Sequence, residues 1–274
     1  ICSLNSNRTI CVMPNRNFFE VQHNISYDER ENVIVTVGRY DEQLKRLDKI
    51  LKIFSQVYKE DNSIKLIVVG PVNYDETFGK SLEQELLDLS LPVKSVEFVG
   101  PQPDVSKYYK KAKVFLFASE FEGFGLVLNE AACFGLPIVT SYFLGVEDLV
   151  ENDKNGYFYT KETEAKKQLL DILHDTDKWN AMSKYCNEKA ETFSKESLIQ
   201  RWKTLISLVL NNENAESLFY ENGLACEKQL TYLEYEGIIN EYEKIVEEAS
   251  QRINRADSAQ FFLSNSLEHE RKLH

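Results

Sequence analysis

Six short apolar runs punctuate the first two hundred residues, each flanked by polar or glycine-bearing segments: Val33–Val37, Leu66–Val69, Val96–Val99, Val114–Ala118, Pro137–Thr140 and Gly156–Tyr159. Several are continuous rather than alternating, the pattern of strands covered on both faces. Between them lie stretches whose apolar positions recur at three and four residues, predicting helices over about Gln43–Tyr58, Thr77–Leu89, Val105–Lys111, Gly125–Phe134 and Thr163–His174. Two more helices are predicted near Lys178–Glu191 and Lys195–Leu210. Strand and helix alternate, so the expected fold class is α/β, a doubly wound parallel six-stranded sheet with right-handed crossovers. It would fill residues 31–211.

The two ends read differently. Residues 1–30 are polar, with a turn at Pro14-Asn15-Arg16-Asn17, and suit a linker or the remnant of a preceding domain. The chain opens on Ile1 with no Met before Met13, as expected of a piece of a longer protein. Residues 212–274 read as an acidic helical extension. Within it Tyr232, Tyr235, Ile239, Tyr242, Val246, Ala249 and Ile253 recur at three- and four-residue steps. That seam over 232–253 suits packing on the same chain or an oligomer contact between chains.

The formal net charge is −12, and residues 211–274 hold 13 acidic and 6 basic residues. Nucleic acid is therefore not an expected partner, while a locally basic cleft for an anionic substrate fits the more balanced body. The five cysteines (Cys2, Cys11, Cys133, Cys186, Cys226) are scattered and form no C-x-x-C pair. Free thiols in the cytoplasm are the expectation. The four histidines show no spacing that suggests a metal or a catalytic pair. No apolar run approaches the roughly 20 residues of a membrane-spanning helix. Peripheral membrane contact stays open, although no basic amphipathic helix is present to lie on anionic lipid.

Neither the G-x-G-x-x-G fingerprint nor a P-loop lysine motif occurs. The chemistry concentrates in Ser119-Glu120-Phe121-Glu122-Gly123-Phe124-Gly125-Leu126-Val127-Leu128-Asn129-Glu130. This segment follows the fourth strand, at the carboxyl edge where open α/β sheets bind ligands. Gly123 and Gly125 let a ligand come close to the backbone, and the helix after them supplies free N–H groups and a dipole for an anion. Glu122 and Glu130 bracket that site with carboxylates suited to hydroxyls. A diphosphate flanked by hydroxylated rings, as in a nucleotide sugar, fits such a layout.

Here the sequence resembles the retaining GT-B glycosyltransferases of the family 4 type, known as glycosyltransferase group 1. The likeness covers about Thr9–Leu210 and is carried by Glu122-x7-Glu130, Ala-Ala-Cys-Phe-Gly-Leu-Pro-Ile-Val (131–139), Gly145-Val-Glu-Asp-Leu-Val, Asn155-Gly156, Val37-Gly38-Arg39 with Lys45-Arg46, and Val12-Met13-Pro14-Asn15. Asp148, Glu147, Tyr40 and the place of Lys45 depart from the usual family pattern. The resemblance implies a Rossmann-like donor-binding half of a GT-B enzyme. Glu130 would hold the ribose hydroxyls, and Glu122 the donor sugar near its reacting carbon. The amides of Phe124, Gly125 and Leu126 would face the diphosphate. Arg39 and Lys45, beside Gly38, would neutralise the diphosphate as it leaves, without metal or cofactor. Gly100, Pro101 and Gln102 would lie near the nucleobase. The implied partners are a nucleoside-diphosphate sugar, an acceptor (a saccharide, a lipid-linked molecule or a protein) and the enzyme's own amino-terminal domain. Without that domain the fragment is expected to transfer little. The rival readings are a GT-B-like epimerase or phosphorylase and a non-catalytic assembly module.

Overall fold

The computed structural model describes residues 13–23, 25–41 and 43–210; the seam at 232–253 lies outside them. The described body, Met13–Ser207, is one compact unit. Its six strands are β1 (Val33–Val37), β2 (Lys65–Val69), β3 (Val96–Gly100), β4 (Val114–Phe117), β5 (Ile138–Ser141) and β6 (Gly156–Tyr159). Every strand pair is parallel, in the order β3-β2-β1-β4-β5-β6.

The helices are α1 (Leu47–Glu60), α2 (Tyr74–Phe78), α3 (Leu82–Asp88), α4 (Ser106–Lys111), α5 (Leu126–Cys133), α6 (Glu162–His174), α7 (Thr176–Glu191) and α8 (Lys195–Leu210). In the central strands successive side chains serve opposite layers, as the two-residue period requires. Ile34, Val114 and Leu116 join one buried cluster with Ile50 and Phe54 of α1 and Leu169 of α6. Val33, Val35, Phe115 and Phe117 join the other, with Leu128 and Ala131 of α5 and Cys186 of α7. All residues of β1 and β4 are buried, which explains their unbroken apolar sequences.

Two sequence expectations change. The single helix predicted over Thr77–Leu89 is two. Gly79 closes α2 in the left-handed region (φ 68°) and donates its N–H to Asp75. Ser81 then caps α3 by accepting from the Gln84 N–H. The helix predicted from Gln43 instead begins with a short 3-10 turn, Gln43–Lys45, and Arg46 adopts a left-handed conformation (φ 47°) before α1 starts.

The polar stretch before β1 is packed against this body. Asn17 donates its N–H to the Phe193 carbonyl and its Nδ2 to that of Ala190. The Phe19 ring meets Phe134 edge-on at 5.2 Å. The Arg30 guanidinium is buried, donating to the carbonyls of Tyr109 (2.8 Å), Ala112 (2.7 Å) and Phe134. Among the described residues no helix is long and apolar enough to cross a membrane.

Candidate functional site

Strand order reverses direction between β1 and β4, and the crevice of a doubly wound sheet opens at the carboxyl ends of those two strands. A cleft of about 790 Å³ lies there. The loop after β1 contributes Gly38, Arg39 and Lys45, the loop after β4 contributes Glu122 to Gly125, and α5 contributes Leu126 and Val127. Pro101 and Gln102 close the side toward β3. The Gln102 side chain is held by donating Nε2 to the Val99 carbonyl at 2.8 Å.

Backbone bonds stitch these loops together. Gly38 donates its N–H to Val69, Tyr40 to Pro71, and Glu120 to Leu44. Ser141 Oγ donates to the Ser119 carbonyl at 2.6 Å, tying the end of β5 to the loop after β4. The left-handed Arg46 is fixed from both sides, donating to Asp48 (2.9 and 2.7 Å) and pairing with Glu120, which also takes Lys49 at 3.0 Å. Such a conformation costs a non-glycine residue about 1–2 kcal/mol, and these pairs offset it.

The fixed turn delivers Lys45 into the cleft, where its Nζ meets Glu122 Oε1 at 2.5 Å and lies 5.7 Å from the centre of the Phe117 ring. Only 19% of the Lys45 side chain and 14% of the Glu122 side chain is exposed. Arg39 stands at the rim, largely exposed, with Nε 4.0 Å from Asp41.

Gly125 is the residue from which α5 starts. It is left-handed (φ 78°, ψ 48°), and no side chain caps the helix. The first amides of a helix have no partners inside it; the Leu128 N–H donates back to the Gly125 carbonyl at 2.9 Å, and Leu126 and Val127, both lining the cleft, stand at the positive end of the helix dipole. Gly123 takes an ordinary backbone conformation and sits in open space.

Glu130 is placed differently from Glu122. It lies on α5 three residues beyond Val127 and outside the cleft lining, accepting a hydrogen bond from the buried Tyr109 hydroxyl at 3.0 Å. Burial raises its carboxyl above the ordinary carboxylate range, and the tyrosine opposes that rise. Gly100 lines an adjoining depression of about 590 Å³ that shares Gly70, Pro71 and Pro101 with the main cleft. Gly70 and Pro71 were not singled out from the sequence. A glycine-proline pair directly after an apolar run at the same sheet edge is the signal that identifies them. Among the described residues no cluster of three or more His, Cys, Asp or Glu could hold a metal ion.

A six-stranded parallel sheet with a cleft at its switch point, lined by an uncapped helix start, a lysine and a glutamate, defines an α/β domain of the doubly wound class. Residues 18–191 match the family model for glycosyl transferases group 1, and the chain belongs to that family. It is 31% identical over 165 residues to an uncharacterized glycosyltransferase of Haemophilus influenzae, covering 59% of this chain and 45% of that protein. It is 27% identical to the alpha-monoglucosyldiacylglycerol synthase of Acholeplasma laidlawii, covering 67% of this chain and 45% of that one. The chain thus spans about half the length of the curated relatives it matches.

Among solved structures, Staphylococcus aureus TarM in a complex with UDP superposes with a TM-score of 0.59 at 22% identity, over 69% of this chain and 38% of that one. Anabaena HepE in complex with UDP-glucose does so with a TM-score of 0.57 at 23% identity, over 65% and 49%. These neighbours are GT-B glycosyltransferases, and the likeness establishes the fold: a six-stranded Rossmann-like half.

Proposed function

We propose that this chain is the donor-binding half of a retaining glycosyltransferase that moves a sugar from a nucleoside diphosphate to a hydroxyl acceptor in glycan synthesis. The observation that carries this reading is the cleft itself: the uncapped amino end of α5 and the paired Lys45 and Glu122 all line it at the switch point. The diphosphate would lie against the α5 amides, with Lys45 and Arg39 offsetting charge as it becomes the leaving group. Glu122 would accept hydrogen bonds from the sugar hydroxyls. Glu130, eight residues further and inside α5, would take the ribose once its carboxylate is drawn from Tyr109. This chemistry calls on no metal or cofactor. The UDP and UDP-glucose complexes of the structural neighbours support the choice of ligand class.

The acceptor and the rest of the machinery would come from an amino-terminal domain across the cleft, so the 274-residue chain alone is proposed to bind donor and transfer little. A cytoplasmic, peripheral placement at a membrane goes with that role. Calorimetry with UDP, GDP and ADP, each with and without glucose, tests the reading. One base should bind, and Lys45→Gln should weaken the diphosphate about tenfold, the equivalent of about 1.4 kcal/mol. Binding to none of the six, or binding indifferent to Lys45, overturns it.

A further inference from the structure

Lys45 and Glu122 are each assigned a different part of the donor, yet they are bonded to each other at 2.5 Å. Both side chains line the cleft and both are mostly buried. The neighbouring cations Arg46 and Lys49 are turned onto Glu120. We infer that the Lys45–Glu122 ion pair makes this cleft select a nucleoside diphosphate that still carries its sugar over one that has lost it. The inference rests on the donor-site reading above and assigns the pair as its specificity determinant.

The reasoning is electrostatic. Drawing the Lys45 ammonium toward a diphosphate stretches its bond to Glu122. A carboxylate with 14% of its side chain exposed then loses its counter-charge, and a buried charge without a partner is costly. A donor sugar placed beside Glu122 offsets that loss, because its hydroxyls donate to the carboxylate oxygens. A bare diphosphate has no donor to offer there and bears the whole penalty. The pair thereby couples the two halves of the ligand. It favours uptake of the intact donor and release of the spent nucleotide, without any movement of the backbone.

A double-mutant cycle on the whole chain tests this, with wild type, Glu122→Gln, Lys45→Gln and the double variant titrated calorimetrically with UDP and UDP-glucose, or with the GDP or ADP pair if that base is the one bound. Glu122→Gln should bind the bare diphosphate about tenfold tighter than wild type, about 1.4 kcal/mol, while the sugar-bearing form changes by less than about threefold. The preference for the intact donor then collapses. In the Lys45→Gln background, Glu122→Gln should no longer tighten the diphosphate. An unchanged or weaker diphosphate affinity in Glu122→Gln overturns the inference while leaving the donor site standing. An equal gain with and without Lys45 also overturns it, because the gain is then only the removal of a negative charge near the phosphates. Failure of wild type to bind any of the nucleotides removes the donor-site reading and this inference together.

Discussion

Two glycines two residues apart do different work, and an alanine at each should separate folding from binding. Gly125 is left-handed (φ 78°), and a Cβ there would sit 3.3 Å from Leu128 Cδ1, Leu149 Cδ1 and Phe143 Cζ, all in the buried layer under α5. The conformation costs an alanine about 1–2 kcal/mol, and contacts this tight require the three neighbours to give slightly. A loss of about 2 kcal/mol follows, which for a body of this size is a fall in Tm of about 4–8 °C. Gly123 has no left-handed backbone, and a Cβ there meets nothing within 4 Å. Gly123→Ala should raise Tm by about 1–4 °C, because alanine narrows the unfolded ensemble by about 0.4–1 kcal/mol. Its methyl group would nevertheless stand in the cleft and weaken the sugar nucleotide. Thermal denaturation by circular dichroism, paired with calorimetric titration, reads both quantities. Equal losses of Tm in the two variants, or a neutral Gly125→Ala, would refute the assignment of the helix start to Gly125.

Arg30→Met should cost about 3 kcal/mol in chemical denaturation, since it strips a buried guanidinium from the carbonyls of Tyr109, Ala112 and Phe134; a loss under about 1 kcal/mol would show those carbonyls to be satisfied without it. Glu151 tests the acid limb. The Lys154 ammonium, then Tyr185 and Lys189, hold its carboxyl down at about 2 from an ordinary 4.5. Its contribution is therefore complete above about pH 4.5 and is lost as pH falls toward 2. Between pH 5 and pH 3 wild type should lose about 1 kcal/mol more stability than Glu151→Gln, and parallel Tm-against-pH curves would contradict the network.

The strands were legible because a sheet covered on both faces demands unbroken apolar runs, and all residues of β1 and β4 are buried. The helix break at Gly79–Ser81 was obscured for a related reason. Phe78, Leu82, Leu86 and Leu89 keep helical spacing and pack against one core across the break. Periodicity reports which side is buried, and only the left-handed cap at Gly79 and the Ser81 cap report where the axis ends. Arg30 left no local trace, because its partners are carbonyls 79 to 104 residues away. Asn155, which the family resemblance brought forward, is buried and bonds the Glu151 N–H and the Leu149 carbonyl, so it shapes the turn before β6.

The same division between local and distant causes runs through the cleft. Glu122, Gly125 and the helix behind them share one short segment, so their common place in one cleft could be read in order along the chain. Lys45 reaches Glu122 from 77 residues away. Its aim depends on a left-handed Arg46 clamped by Glu120 and on a backbone bond from Glu120 to Leu44. The sheet end beneath Gly38 depends in turn on Gly70, where any Cβ would lie 1.9 Å from the Gly38 carbonyl oxygen. A sequence can state which groups a ligand will meet when one loop carries them. The distance between a cation and a carboxylate from separate loops is fixed by contacts that only the closed sheet makes, and that distance is what pairs Lys45 with Glu122.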